Sequence, residues 1–276
     1  MAFAETVAPR TVFVTGFPVF AARRLIKELM AAGDEVWLLV RKKFIARAEA
    51  YIEQLVEARP QAPVPRILCG DILDIDLGLT GAEIREVHLH VEEVHHIAAI
   101  GYLGAPTRKM QLVNVEGLRE MLEVALGMSK LERFCHWSTA FVAGARDGVV
   151  LEDELMVGQR FRNDYERTKA EAEVLAQRSM SQLPISIVRP PIIVGASDTG
   201  KVDRFDGIYL GIRRIVGAPI GVSVPIPSHG RFPVHVVPAD YVAKAARHIA
   251  RHPRAVECVI PPQTGTEFTI HVRGEW

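Results

Sequence analysis

The 276-residue chain has only three cysteines, Cys69, Cys135 and Cys258, and no net formal charge. Three scattered thiols exclude a disulfide framework and a cysteine-built zinc site. Thirty-three Lys and Arg balance thirty-three Asp and Glu, so the basic excess of a general nucleic-acid binder is missing. There is no uncharged apolar run of the ~18 residues that a membrane span needs. The N-terminus carries Glu5 and no apolar core, so it does not read as a secretory signal. What is there is 49% apolar and 24% charged residues, enough to bury a full core in water. A cytoplasmic chain is expected, folded as one domain over residues 1–276. It has no internal repeat and no low-complexity tract.

Over the first 140 residues, short β-rich runs alternate with helical patterns. Residues 11–15 and 36–40 read as strands, the second apolar on both faces as a buried parallel strand is. Between them Phe20, Leu25, Ile26 and Leu29 recur at helical spacing, and Gly33 supplies the stop. A helix over 44–58 follows, closed by Pro60, Pro63 and Pro65. Next are a strand at 66–69, a short helix near Ala82, a strand over 94–98, a long helix over 106–128 and a strand over 134–138. Helix 162–181 and strand 185–188 continue the rhythm. This alternation predicts an α/β fold, a Rossmann-type doubly wound parallel sheet. After Pro190, Gly195, Gly200, Gly207, Gly211, Gly217 and Gly221 with Pro219, Pro225 and Pro227 mark a loop-rich stretch. A helix over 239–251 and a strand over 256–260 follow it. A small loop-rich substrate-side lobe is expected, drawn mainly from 141–161 and 195–235.

The first βα turn reads Thr15-Gly16-Phe17-Pro18-Val19-Phe20-Ala21-Ala22. In a dinucleotide-binding fold this turn is glycine-rich, because backbone approaches the pyrophosphate at the helix N-terminus. Gly16 keeps the first position of a G-x-x-G-x-x-G spacing, while Val19 and Ala22 replace the other two. Ala22 is a mild change; Val19 sets a β-branched side chain where phosphates would lie. At the end of the second strand, an acid would clasp the ribose 2′-hydroxyl of NAD. The chain offers Arg41-Lys42-Lys43 instead. A guanidinium suits a 2′-phosphate, so this corner favours NADP, with NAD the alternative. The plainer meaning of such a run is a solvated basic face.

Ser138-Thr139 ends a strand, and Tyr165-Glu166-Arg167-Thr168-Lys169 follows on a helix 26 residues after Thr139. Tyr and Lys at i and i+4 share a helix face. An ammonium beside a phenol lowers the phenol's pKa from about 10. Such a Tyr165 can protonate a carbonyl oxygen as hydride arrives, while the hydroxyl of Thr139 or Ser138 holds that oxygen. Alone, the spacing also describes an amphipathic helix with a surface lysine. The order of the features is what makes it specific: Rossmann-like half, Ser/Thr strand end, Y-x-x-x-K, then Arg189-Pro190-Pro191.

With these residues stand Leu39-Val40-Arg41, Gly70-Asp71, His96-Ile97-Ala98-Ala99, Asn114-Val115-Glu116-Gly117, Ser138 to Gly144, and His235 to Val242. The chain resembles the extended short-chain dehydrogenases/reductases, most of all the branch of fatty acyl-CoA reductases and carrier-protein thioester reductases. The resemblance spans almost the whole chain. It implies an NADPH-dependent hydride transfer to the carbonyl or acyl thioester of a small-molecule substrate. It implies that Thr15, Gly16, Phe17, Pro18, Phe20, Arg41, Asp71, Ile72, Ala98, Ala99, Pro190 and Ile193 hold the cofactor, Asp71 at the adenine. Tyr165 would be the acid, Lys169 its tuner and a ribose ligand, Thr139 the active hydroxyl with Ser138 nearby, and Asn114 the support of a proton relay. Family members usually continue with more substrate-side structure than follows the strand near Ile260, so a short or truncated C-terminal lobe is expected.

Two rival readings share these residues. One is a sugar-nucleotide epimerase/dehydratase or a hydroxysteroid-type dehydrogenase; the other, prompted by Val19, is a non-catalytic dinucleotide sensor or scaffold. His88, His90, His95 and His96 lie within nine residues, but they lack a ligand pattern and read as strand-end histidines, not as a metal site. Cys69 and Cys135 read as inert packing.

Overall fold

In the computed structural model of the protein, residues 8–202, 208–217, 234–255, 258–260 and 269–270 are described. Gly207, Gly221, Pro219, Pro225 and Pro227 of the expected loop-rich stretch lie outside them, as do residues 256–257 of the last expected strand. The chain runs β1 (Thr11–Val14), α1 (Phe20–Ala31), β2 (Glu35–Val40), α2 (Ile45–Ala58), β3 (Arg66–Cys69), α3 (Gly81–His90) and β4 (Glu93–His96). It continues through α4 (Thr107–Gln111), α5 (Gly117–Leu126), β5 (Arg133–Trp137), α6 (Asp164–Arg178), β6 (Ile185–Val188), β7 (Ile192–Val194) and α7 (Ile208–Val216). The last elements are β8 (Val234–Pro238), α8 (Ala239–Arg251), β9 (Cys258–Ile260) and β10 (Thr269–Ile270).

Seven strands form one sheet in the order β3-β2-β1-β4-β5-β6-β9, every pair parallel. Alternation along β1 sends Val12 and Val14 into one apolar layer with Leu25, Ile26 and Leu29 of α1 and Val242 and Ala246 of α8. Phe13 enters the opposite layer, with Leu118 and Met121 of α5, Val87 of α3 and Ala172 of α6. Each fully buried large side chain stabilises the fold by roughly 1.5–3 kcal/mol, so both faces of the sheet are sealed by helices. The winding direction reverses between β1 and β4, and ligands of open α/β sheets bind in the crevice at such a switch point. A second sheet, β10-β8-β7, pairs β7 parallel and β10 antiparallel to β8, and α7 lies inside 195–235, so the stretch expected to be loop-rich carries regular structure.

Several elements differ from expectation for local reasons. The strand expected over 94–98 stops at His96, because the amides of Ile97 and Ala98 turn to donate to the Thr15 hydroxyl at 3.1 and 3.2 Å. The single helix expected over 106–128 is two helices joined by a wide π-type turn at Leu112–Glu116, which carries Asn114. The helix near Ala82 is a full ten residues, begun by a capping box between Thr80 and Glu83. His88 and His90 therefore sit on this helix and are not strand-end residues. Cys69 is exposed at the end of β3, not packed inside, whereas Cys135 is buried.

Candidate active site and cofactor cleft

Gly16 has φ +98, and a Cβ there would lie 2.9 Å from both the Ala98 nitrogen and the Ile97 carbonyl carbon. Only glycine lets the turn press this closely on the end of β4. Behind it, Val19 precedes α1 without a side-chain cap, and the first helical turn carries no acid. The unpaired N–H groups of that turn are therefore available to an anion.

A cleft of about 750 Å³ opens over this turn. Thr15, Gly16, Phe17, Pro18, Val19 and Phe20 wall one side, and Arg41, Asp71 and Ile72 another. Ala98 and Ala99 after β4, and Ile193 of β7, complete it. Arg23, Arg47 and Tyr209 also line the cleft, and sequence reasoning did not pick them; the signal available was a guanidinium recurring along α1 and α2 beside the strand ends. Val19 is 44% exposed, its N–H donating to the Gly16 carbonyl at 2.9 Å, so its side chain narrows the cleft where the motif wants glycine. The Thr15 hydroxyl is fully used: it accepts from Ile97 and Ala98 and contacts His96 Nδ1 at 3.2 Å. Its donor is the one left to meet that nitrogen, which makes His96 an acceptor there and a neutral ring.

The proposed catalytic residues stand beside this cleft, not among its walls. Ile100 lines the cleft, and its backbone is gripped by Asn114, which accepts from the Ile100 N–H at 2.7 Å and donates to its carbonyl. The Asn114 amide also donates to Thr168 at 3.0 Å. Its side chain is thus committed to holding the 100 segment. The next residue, Gly101, has its Cβ position 3.9 Å from Tyr165 Cε2. The Thr139 hydroxyl is the polar partner that acts on the Tyr165 phenol, and it donates to the Pro190 carbonyl at 3.4 Å. Thr139 and Tyr165 are brought together; Pro190 borders them and is not a cleft wall.

Lys169 is only 3% exposed, so it is not the surface lysine of an ordinary amphipathic helix. Its ammonium donates to the Trp137 carbonyl at 2.6 Å, and burial pulls its pKa down to about 8 against the pull of Glu173. The expected lowering of the Tyr165 pKa is not found. Burial raises it, and the hydrogen bond with Thr139 only opposes that rise. Tyr165 is a protonated phenol at neutral pH. Ser138 is also placed differently from expectation, since its hydroxyl donates to Glu173 at 2.5 Å and not toward Tyr165.

These walls fit a dinucleotide. The uncapped start of α1 suits a pyrophosphate, the small Ala98 and Ala99 leave room beside β4, and the guanidinium groups of Arg23, Arg41 and Arg47 stand on the lining. The doubly wound sheet and the Thr/Tyr/Lys arrangement define a Rossmann domain of the short-chain dehydrogenase/reductase kind. Residues 14–246 match the NAD-binding family described as Male sterility protein, and the chain belongs to that family. It is a nicotinamide-dinucleotide-binding domain.

Among relatives, it is 26% identical over 271 residues to the fatty acyl-CoA reductase wat of Drosophila melanogaster, covering 85% of this chain and 52% of that protein. It is 26% identical over 233 residues to the NRPS-like oxidoreductase fscA of Fusarium equiseti, covering 82% and 22%. Of solved structures, the terminal R domain of the myxalamid PKS-NRPS biosynthetic pathway superposes with a TM-score of 0.79 and 26% identity, covering 93% of this chain and 66% of that one. MoeE5 in complex with UDP-glucose and NAD shares the fold at 22% identity and a TM-score of 0.67, covering 91% and 75%. The chain spans about half the length of the fatty acyl-CoA reductase it matches.

Proposed function

We propose that this chain is an NADPH-dependent reductase domain that acts on an acyl thioester in the cytoplasm. The observation that carries the reading is the place of Tyr165, its ring 3.9 Å from the Cβ position of Gly101, next to Ile100 of the cleft wall, with Thr139 as the partner of its protonated phenol. The cofactor, when bound, supplies hydride to the substrate carbonyl. Tyr165 then donates its phenolic proton to the carbonyl oxygen, and the Thr139 hydroxyl holds that oxygen in line. Lys169, buried and cationic at neutral pH, favours negative charge developing on Tyr165 as the proton leaves. Arg41, which lines the same cleft as Arg47 and Arg23, receives the 2′-phosphate, which makes NADP the cofactor over NAD. Asp71, Ile72, Ala98, Ala99 and Ile193 hold the rest of the dinucleotide.

The thioester reading is supported by the relatives, whose names are acyl-CoA reductase and NRPS-like oxidoreductase. The sugar-nucleotide alternative has support only from structures that share the fold at lower identity. The sensor alternative does not account for a buried Lys169 and a Thr139 hydroxyl that acts on the Tyr165 phenol. The test is to offer the protein acyl-CoA, a carrier-bound thioester and a UDP-sugar with NADPH, and to follow nicotinamide absorbance. Oxidation of NADPH with thioester alone is expected; turnover of the UDP-sugar alone would overturn the reading.

A further inference from the structure

Three consecutive residues at the end of β5 bond three residues on one face of α6. The Trp137 carbonyl accepts from Lys169 at 2.6 Å, Ser138 donates to Glu173 at 2.5 Å, and Thr139 pairs with Tyr165. Tyr165, Lys169 and Glu173 are spaced i, i+4 and i+8, so they share a face. Glu173 is fully buried. It also receives Arg189, whose Nε lies 3.0 Å from one carboxylate oxygen and 3.2 Å from the other, with Nη2 at 2.5 Å. Arg189 leads into Pro190, whose carbonyl accepts from the Ala140 N–H at 3.0 Å and the Thr139 hydroxyl at 3.4 Å. The contacts close a ring around the active hydroxyl: Glu173, Arg189, Pro190, Thr139, Ser138 and back to Glu173.

We propose that Glu173 is the positioning residue of the active site, fixing the strand end through Ser138 and Arg189 and acting as the counter-charge of Lys169. Ser138 thus works through Glu173 and does not touch the substrate oxygen. The inference rests on the reading of Thr139, Tyr165 and Lys169 as the reacting set. A buried carboxylate with one hydroxyl donor and a forked guanidinium has its acceptors satisfied and its orientation fixed. The groups that act on Lys169 are Glu173 from α6, His96 from β4 and His136 from β5, with the Tyr165 phenol one turn before it. Arg189 faces Glu173 itself, and Glu152 from the loop after β5 acts on Arg189. Both histidines are held neutral by burial, which leaves Glu173 as the negative charge favouring the ammonium.

The experiment is a side-chain NMR titration of the Lys169 ammonium, assigned by its loss in Lys169→Met, together with kcat, KM and NADPH affinity. In Glu173→Gln the Lys169 titration moves to lower pH, and the kcat profile that depends on it moves the same way. A merely structural role lowers kcat evenly at every pH and leaves the titration in place, which would overturn the proposal. In Ser138→Ala, kcat falls less than tenfold with thioester KM and NADPH affinity unchanged, while Thr139→Val loses at least a hundredfold. Equal losses from the two would make Ser138 a catalytic hydroxyl and overturn the proposal, and this comparison decides alone if Glu173→Gln does not fold. Failure of Tyr165→Phe to affect turnover would instead contradict the reading of the reacting set, and the proposal would fall with it.

Discussion

Arg41 and Asp71, at the ends of neighbouring strands, form an ion pair of 2.8 Å between Nε and a carboxylate oxygen. Asp71 is itself fixed by accepting from the Leu73 N–H at 3.3 Å. Because the carboxylate takes Nε, the two terminal guanidinium nitrogens remain for a second acidic group. Both side chains are partly solvated, so the pair by itself adds little stability. Its consequence is orientation.

NADPH is therefore expected to bind more tightly than NADH. Arg41→Asp should shrink or reverse the difference, each charge-assisted contact being worth roughly 1.5–3 kcal/mol. Paired fluorescence titrations of the bound nicotinamide measure it. Equal native affinities would remove Arg41 from the 2′-phosphate site.

Val19 sets a branched side chain on the cleft wall where the glycine motif leaves backbone bare. Val19→Gly should tighten NADPH binding while costing about 1 kcal/mol of stability through added backbone freedom. Calorimetric titration of native and variant protein checks this. Weaker binding in the variant would mean that the chain passes the phosphates by another route.

Gly16→Ala carries two penalties at once, a side chain at φ +98 and a Cβ at 2.9 Å from the backbone of Ile97 and Ala98. The cleft wall must move, so both melting temperature and NADPH affinity should fall. A variant with native melting temperature and native affinity would show that the turn is less tightly pressed on β4 than this geometry requires.

Acid stability follows from the buried histidines. Burial, with the nearby Lys169 charge, lowers His96 from 6.5 to about 3, and His136 lies well below its ordinary value for the same reasons, with His96 adding to them. The unfolded chain binds protons on these rings at a higher pH than the native protein does. The stability they contribute is full above 6.5 and is lost as pH falls toward about 3. Burial would raise Glu93, but hydrogen bonds from His95 and Arg251, with the Arg251 charge, hold it at about 2, extending the loss below 4.5. His136 stacks on His96 at 6.0 Å, and neither of its ring nitrogens has a partner among the described residues. His136→Leu should therefore flatten the decline in urea midpoint between about pH 7 and pH 5. An unchanged slope would place the acid sensitivity elsewhere.

Much of this was legible beforehand where chemistry and spacing coincide. β3 and α8 occupy the residues their patterns indicate, since a Pro or a strand-end turn bounds each one. Gly16, Arg41, Asp71, Ala98 and Thr139 sit at strand ends, and the parallel-sheet topology alone brings such ends to one edge. What was hidden depends on three-dimensional neighbours. The π-type turn carries Asn114, whose amide grips Ile100, 14 positions away in sequence. The raised phenol of Tyr165 reflects burial that a Y-x-x-x-K spacing does not encode. Glu173 was missed although it lies one turn beyond Lys169; extending the helix face from i+4 to i+8 would have found it.

The central claim is that Tyr165 gives its proton to the substrate oxygen. The measurement is thioester-dependent NADPH oxidation by Tyr165→Phe, beside nicotinamide fluorescence of the same variant. Removing one hydroxyl from a packed ring should leave fold and NADPH binding intact while turnover falls by about 10²–10⁴-fold. Native turnover in Tyr165→Phe, with NADPH bound, would contradict the account.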